Sequence, residues 1–397
     1  MRVVYVCQSY PPMVSGAALV VQRLAKGMAM RGHTVSVFAA SDKGQAYTNK
    51  INGLKQVRLT SFPNPLRVDQ YFTIWPRRQI ANELKAFRPD VLHMHDPLLI
   101  GLSALSAGHA FGVPVTLTIH QLPWFVSAYA PALPGLRKMI ETGLWTYSNW
   151  LLQQCEAVIT PSRVIADIVS GNNNCHPEVI SNGVELERFS PRPAFADENE
   201  SLRQRYGLDP QLPIILYVGR IDTDKQVELV VHAAAQTMRS VKAQLLVVGD
   251  GKQLDTVSQL SEALGIRDKC QFPGYVPVIG DLPGLYRLAS VFVTASELEI
   301  QSSVVLEAAA TGLPIVAFRS SSMPEIVENG VTGYLVTPRD VSALADRITS
   351  LVRNPNQAKA MGLAGRASAE THSLDSSIRT HEKLYQSLTS SSELMAR

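Results

Sequence analysis

The chain has 397 residues, more than one ordinary core accommodates, so two domains are expected. Apolar residues make up 46% and charged residues 18%, a globular balance that excludes a disordered chain. Lys and Arg number 37 against 34 Asp and Glu. A net charge of +3 with no long basic run offers nucleic acid no electrostatic footprint.

The first apolar run, Val3–Cys7, is too short for a signal peptide and has no small-residue cleavage site, so it reads as a buried strand. A helix is predicted over Leu19–Arg31, where Val20, Leu24 and Met28 recur every four residues before Gly32-His33 ends it. Strands follow at Thr34–Ala39, Val57–Thr60, Val91–His93, Val115–Ile119 and Ala157–Thr160, with helices between. Residues 97–119 carry no charge and are long enough to span a bilayer. Ser103, Ser106, His109, Gly112 and Pro114 instead split that stretch into a helix at about 99–110, a turn and a strand. The polar stretch Ser190–Asp209 reads as a linker. The alternation then restarts with strands at Pro213–Val218, Gln244–Val248, Cys270–Phe272, Val291–Thr294 and Pro314–Ala317. From about Ser373 the tail reads as a polar helix that frays at Thr389–Ser392.

Near-continuous apolar strands between amphipathic helices imply parallel sheets covered on both faces. Two such series predict an α/β protein of two doubly wound, Rossmann-like domains facing across a cleft, with ligands at the strands' carboxyl ends. Cys7, Cys155, Cys175 and Cys270 form no CxxC pair and match no zinc spacing, which points to reduced thiols and a cytosolic address.

Four groups of residues carry chemistry. The loop Pro11–Ala18 turns through small residues into a helix, a geometry that suits an anion or is simply a tight turn. In Gly219–Lys225, Arg220 and Lys225 follow a strong strand, where two cations can hold a diphosphate and neutralise it as it leaves. The bland alternative is a pair of solvated surface cations. Asp222-Thr223-Asp224 spells DxD, but carboxylates between two cations are better placed to pair with them or cap a helix than to bind metal. In Ser296–Pro314, Glu299 lies in a loop and Glu307 in an apolar helix, with Ser302 or Ser303 as the cap and Gly312 as the stop. A charge among Val304, Val305, Leu306 and Ala308 demands a partner or a ligand, and a carboxylate accepts well from a vicinal diol. Lastly, His120 closes a strand where cleft-facing ligands belong, or is a hydrogen-bonded core histidine. His93, His95 and Asp96 invite a zinc reading but offer no further ligand pair, so no metal is expected.

Taken in order, these pieces resemble the family-4 retaining glycosyltransferases of the GT-B fold. The resemblance rests on Pro11-Pro12-x-x-Ser15-Gly16, Arg31–Val35, Ile119-His120, Pro161-Ser162 and Ile180–Val184. It continues through Gly219–Lys225, Val248–Gly251, Phe272–Val276, Glu299–Glu307 and Pro324–Val327. It implies a hexosyltransferase that needs no metal or other cofactor and uses a UDP- or GDP-sugar donor. Residues 1–190 would bind the acceptor and 207–372 the donor, with a last helix at about 373–397 packing back on the first domain. Arg220 and Lys225 match the diphosphate pair, with Gly219 before them. Glu307 matches the ribose carboxylate, Glu299 the one near the transferred sugar, and His120 the histidine at the sugar's 6-position. Gly16 matches the loop that closes on phosphate, and Gly274, Tyr275 and Val276 the nucleobase turn. The amides of Ser302, Ser303 and Val304 complete the phosphate site beside Gln301.

Three departures stand out: Ser15-Gly16 for Gly-Gly, Lys225-Gln226 for Lys-Gly, and Gln301-Ser302 for Phe-Gly. Glutamine after Glu299 resembles bacterial enzymes that glycosylate diacylglycerol. No residue forms a nucleophile–base pair, which with the resemblance favours front-side substitution. A soluble sugar or metabolite acceptor, a same-fold epimerase or hydrolase, and a sugar-nucleotide sensor remain open. All four tryptophans fall in Pro63–Arg78 and Trp124–Leu152, beside Arg67, Arg77, Arg78, Arg137 and Lys138. Such a surface suits an anionic membrane's headgroup layer, with the protein peripheral on its inner face, or is ordinary core.

Overall fold

The computed structural model describes residues 1–13, 15–51, 53–64, 70–124, 135–172, 175–191 and 196–395. It contains two units, Met1–Asn182 with Asp375–Arg397, and Gly183–Leu374.

The first unit is built on eight strands in the order β10-β9-β8-β7-β1-β2-β4-β3. These are β1 (Arg2–Cys7), β2 (Thr34–Ala40), β3 (Tyr47–Ile51), β4 (Leu54–Leu59), β7 (Val91–Met94), β8 (Val115–Thr118), β9 (Ala157–Thr160) and β10 (Glu178–Val179). All pairings are parallel except β3 with β4. A separate antiparallel pair joins β5 (Phe62–Pro63) to β6 (Tyr71–Phe72). The order of progression reverses between β1 and β7, as in a doubly wound sheet. Val3, Val4, Tyr5 and Val6 are sealed because helices cover both faces. The charge-free stretch is the helix Leu99–Ala110 followed by β8. No described helix is long and apolar enough to cross a membrane.

The second unit holds six parallel strands in the order β13-β12-β11-β14-β15-β16. They are β11 (Ile214–Val218), β12 (Gln244–Val248), β13 (Cys270–Gly274), β14 (Val291–Thr294), β15 (Ile315–Phe318) and β16 (Gly333–Val336). Progression here reverses between β11 and β14.

Three expectations are corrected. The stretch Ser190–Asp209 is not a linker, because its helix Ala196–Arg205 inserts Leu202 into the second unit's core with Phe189 and Leu208. Leu202 fits because Gly284 faces it; a Cβ there would come within 2.4 Å of Leu202 Cδ1. Strands β3 and β16 have no counterpart in the sequence reading. β3 is a mostly exposed edge strand of polar composition, and β16 opens on Gly333, whose Cβ would meet Ile315 O at 2.2 Å. The C-terminal helix runs from Leu374 to Met395 without a break at Thr389.

That helix is held to the first unit by more than its apolar stripe. Ile378 lies over Gly27, where any Cβ would sit 2.1 Å from its Cδ1. Glu382 accepts from Arg31 Nη2 at 2.6 Å and meets His33 Nε2 at 2.6 Å. Tyr385 is fully buried, and its hydroxyl lies 2.6 Å from His93 Nδ1. Tyr385→Ala is therefore expected to destabilise the first unit by about 3–5 kcal/mol, the usual cost of deleting a buried ring. Denaturant unfolding checks this, and an unchanged midpoint would remove the helix from the core.

Candidate active site

In an open α/β sheet the crevice lies at the carboxyl ends of the two strands where the order reverses. In the second unit these are β11, which runs into Gly219–Lys225, and β14, which runs into Ala295–Ser302. The β11 loop is tied to its neighbours by backbone. A Cβ on Gly249 would lie 1.8 Å from Gly219 O, and one on Gly251 would lie 2.4 Å from Ile221 O. Gly219 N donates to Val248 O at 3.0 Å, and Gly249 N to Gly274 O at 2.9 Å. Only glycine permits such approaches.

On this frame the charged side chains converge. Lys225 Nζ donates to Glu299 Oε1 at 2.7 Å across the β11–β14 boundary, with Ser296 Oγ at 3.4 Å. Arg220 pairs with Asp222 and, at 2.8 Å, with Asp224. The DxD carboxylates are thus engaged by Arg220. Among the described residues no group of three or more His, Cys, Asp or Glu is placed to hold a metal.

Glu307 sits in the helix Ser303–Ala310, buried among Val305, Leu306 and Ala308. Tyr286 Oη donates to Glu307 Oε2 at 3.2 Å. Ser302 occupies the N-cap position, yet its side chain makes no bond to the helix. The capping expected of it is therefore absent, which leaves the first-turn amides of Ser303 and Val304 without a side-chain cap. Gln301 and Ser302 are buried. Gly274 turns the chain at φ +76° at the end of β13, leaving Tyr275 half exposed and Val276 buried.

The first unit carries the remaining candidates. Ser15 caps the helix Gly16–Met30, its Oγ accepting from Ala18 N at 3.1 Å. That hydroxyl takes one of the amides the loop was expected to expose. A Cβ on Gly16 would meet nothing within 4 Å, so packing does not require glycine there. His120 lies two residues beyond β8, with Nε2 2.8 Å from His95 Nδ1.

Two family models together cover most of this chain: "Glycosyltransferase Family 4" over residues 14–188 and "Glycosyl transferases group 1" over 198–368. The D-inositol 3-phosphate glycosyltransferase of Frankia alni is 32% identical over 304 residues, 70% of each chain. The chain belongs to glycosyltransferase family 4. It is also 26% identical over 342 residues to the alpha-monoglucosyldiacylglycerol synthase of Streptococcus pneumoniae, covering 84% of this chain and 75% of that one. The fold is that of sucrose-phosphate synthase from Thermosynechococcus elongatus, with a TM-score of 0.81 over 98% of this chain and 99% of that one, at 22% identity. Two Rossmann-like parallel-sheet domains of the GT-B type carry a sugar-nucleotide glycosyltransferase.

The family-4 pattern makes sense of one departure. Gln226, where the family has glycine, adopts the left-handed conformation at φ +50°. Such a conformation costs a non-glycine residue roughly 1–2 kcal/mol. Gln226 Nε2 recovers part of this by donating to Glu297 Oε1 at 2.9 Å, a carboxylate also held by Arg339 at 2.8 Å.

Several partners of the site have no motif of their own. Tyr286 and Glu297 become visible only once the helices are placed. His95 stood out in the sequence only as a metal ligand, and its real partner is His120. Arg58, fully buried, binds the carbonyls of Tyr10 and Pro11 and so fixes the chain entering the first loop. A lone arginine in a strand gives no such signal.

Four histidines of the first unit are held neutral by burial. His93 and His95 are pushed well below the usual value of 6.5, and His120 and His381 down to about 4. The unfolded chain therefore binds more protons than the folded one between these values. Stability is full above pH 6.5 and falls as pH drops through about 4, by up to about 1.4 kcal/mol per pH unit for each such histidine. Denaturant titrations at pH 7 and pH 5 should show the first unit losing more stability than the second, which has no such cluster among its described residues. Equal losses would count against the buried column.

Proposed function

We propose that this glycosyltransferase works with retention and without a metal, moving a sugar from a nucleoside-diphosphate donor to a hydroxyl of a diacylglycerol-type lipid at an anionic membrane surface. The chemistry rests on the Lys225–Glu299 pair at the β11–β14 boundary. Arg220, Lys225 and the first-turn amides of the helix Ser303–Ala310 take the negative charge of the departing diphosphate, the role a divalent ion has elsewhere. The bond from the anomeric carbon to the phosphate oxygen breaks while the acceptor oxygen bonds to the same face. The acceptor's proton passes to the leaving phosphate. Glu307 holds the ribose hydroxyls, Glu299 and His120 the transferred sugar, and the Gly274–Val276 turn the base of a UDP- or GDP-sugar. Gly16 leaves room for phosphate to approach the first loop.

One observation carries the lipid acceptor. The helix Leu136–Leu152 buries only Leu151 and Leu152, although Leu136, Met139, Ile140, Leu144, Trp145, Tyr147 and Trp150 all lie along it. Met139 is 66% exposed and Trp150 49%; elsewhere in the first unit Ile74 is 54% exposed and Trp75 50%. Arg77 stands over the Trp75 ring at 4.5 Å. Trp124 and Trp145, by contrast, pack on each other with ring centroids 5.8 Å apart. Leu66, Arg67, Phe125, Tyr129 and Leu133 lie outside the described residues. Exposed aromatic and basic side chains together suit a headgroup layer on the inner face of a membrane. The pneumococcal relative, a diacylglycerol-glycolipid synthase by name, supports the same acceptor class.

Glu307→Ala should raise the donor KM by losing a charged acceptor worth about 1.5–3 kcal/mol. Lys225→Ala and Arg220→Ala should instead lower kcat, because their interaction grows as the diphosphate leaves. All activity should survive EDTA; complete, reversible loss on chelation would restore a metal role to Asp222 and Asp224.

The enzyme should also sediment with anionic vesicles at low salt and release at high salt, since headgroup attraction is screened. Replacing Arg77, Arg78, Arg137 and Lys138 by glutamate should abolish this and leave donor affinity intact. A wild type that ignores anionic vesicles at low salt would point to a soluble sugar or metabolite acceptor.

A further inference from the structure

The first unit contains a column of four imidazoles, of which the proposed reaction uses only His120. His93 in β7 and His95 just beyond it lie two residues apart and project to one side of the sheet. Their ring centroids are 4.1 Å apart. His120 stacks on His95 at 5.1 Å and 24°, and His381 lies 5.7 Å from His93. His93, His95 and His381 are buried, whereas His120 is only half buried.

The hydrogen bonds of this column constrain where its protons sit. His381 Nδ1 faces the carbonyl of Ser377 at 2.9 Å, so that nitrogen carries the proton. His93 is satisfied at both nitrogens, by Tyr385 Oη at 2.6 Å and Thr118 Oγ1 at 2.7 Å. His95 has one partner. Its Nδ1 lies 2.8 Å from His120 Nε2, and its own Nε2 is sealed without any. A neutral imidazole carries one proton. Placed on His95 Nε2, it would leave a buried N–H with no acceptor, the rarest kind of orphan in a folded protein. Placed on Nδ1, it makes the bond to His120.

We infer that His95 is a positioning residue: it donates from Nδ1 to Nε2 of His120 and so fixes His120 as the tautomer protonated on Nδ1. The functional consequence rests on the reading that His120 meets the transferred sugar. His120 Nδ1 has no protein partner among the described residues and is not sealed. It is then a committed neutral donor, suited to a sugar hydroxyl oxygen and unable to act there as a base. Burial of the column, which keeps these rings uncharged, supports the same state.

The test is nitrogen NMR of the full-length chain labelled at its nine histidines, with His120→Asn used to assign the ring. The expected spectrum has His120 protonated at Nδ1 and a bare Nε2. A wild-type His120 protonated at Nε2 overturns the inference. His95→Phe keeps the ring's bulk and removes the donor, so the His120 proton should move to Nε2. His95→Asn, whose amide N–H stands near the Nδ1 position, should restore Nδ1. An unchanged His120 tautomer in His95→Phe would also overturn the inference; should that variant not fold, the wild-type and His95→Asn spectra still decide. Turnover should fall roughly 10- to 100-fold in His95→Phe, the usual effect of removing a group that orients a working histidine, and recover in His95→Asn. The role of His120 is judged apart from this: full activity in His120→Ala would refute the sugar contact and leave the tautomer result standing.

Discussion

The second unit depends on two strand ends touching backbone to backbone. Gly249 brings the end of β12 against the carbonyl of Gly219 at the end of β11, closer than any side chain would allow. The loop that leaves Gly219 is then bound along its length. Tyr217 Oη donates to Arg220 O at 2.7 Å, and Gln253 N to Ile221 O at 2.9 Å. Asp222 Oδ1 accepts from Lys252 N at 3.0 Å. Lys225 therefore extends from a loop with little freedom left, its ammonium held on Glu299.

The two cations of that loop are not equivalent. Arg220 has a side chain 46% exposed, and it pairs with carboxylates only two and four residues away. Asp222 and Asp224 are themselves only 26% and 13% exposed, so these pairs are open to solvent mainly on the arginine's side. Lys225 and Glu299 are each only 16% exposed and lie on different strand ends. Partly desolvated charges attract more strongly, and separation of the pair leaves both poorly solvated. The structure thus ties Lys225 across two strand ends and Arg220 within its own loop. Gln226 fits the same scheme. Its left-handed backbone is tied through Glu297 to Arg339, so a position that glycine could leave loose is anchored by a side chain.

Both sheets were legible in the sequence because buried parallel strands are continuous apolar runs, as Val3–Val6 and Ile214–Val218 are. The loops after β11 and β14 were legible because charge interrupts those runs abruptly at Arg220 and Glu297. Illegible features depended on contacts distant in the chain. Leu202 looked like part of a linker because its helix is otherwise polar, and only Gly284 gives it a seat. Strand β3 carries no apolar alternation, since its pairing with β4 leaves it at an exposed edge. Tyr286 and Tyr385 belong to no motif, yet one holds Glu307 and the other reaches His93 across 292 residues. The pattern of apolar residues specifies which side chains are inside; it does not specify which polar atom meets which.

That distinction bears most on the helix Leu136–Leu152. Of its apolar residues only Leu151 and Leu152 are fully buried, while Trp145 is partly covered by Trp124. Intrinsic propensity gives an isolated helix of this length only marginal stability. Gly143 in its middle and Thr142 and Thr146 beside it weaken it further. Arg137 and Lys138 stand at one end of this helix and Trp150 near the other. On the proposal of a lipid acceptor, headgroup charge would meet Arg137 and Lys138, and acyl chains the exposed Met139 and Trp150.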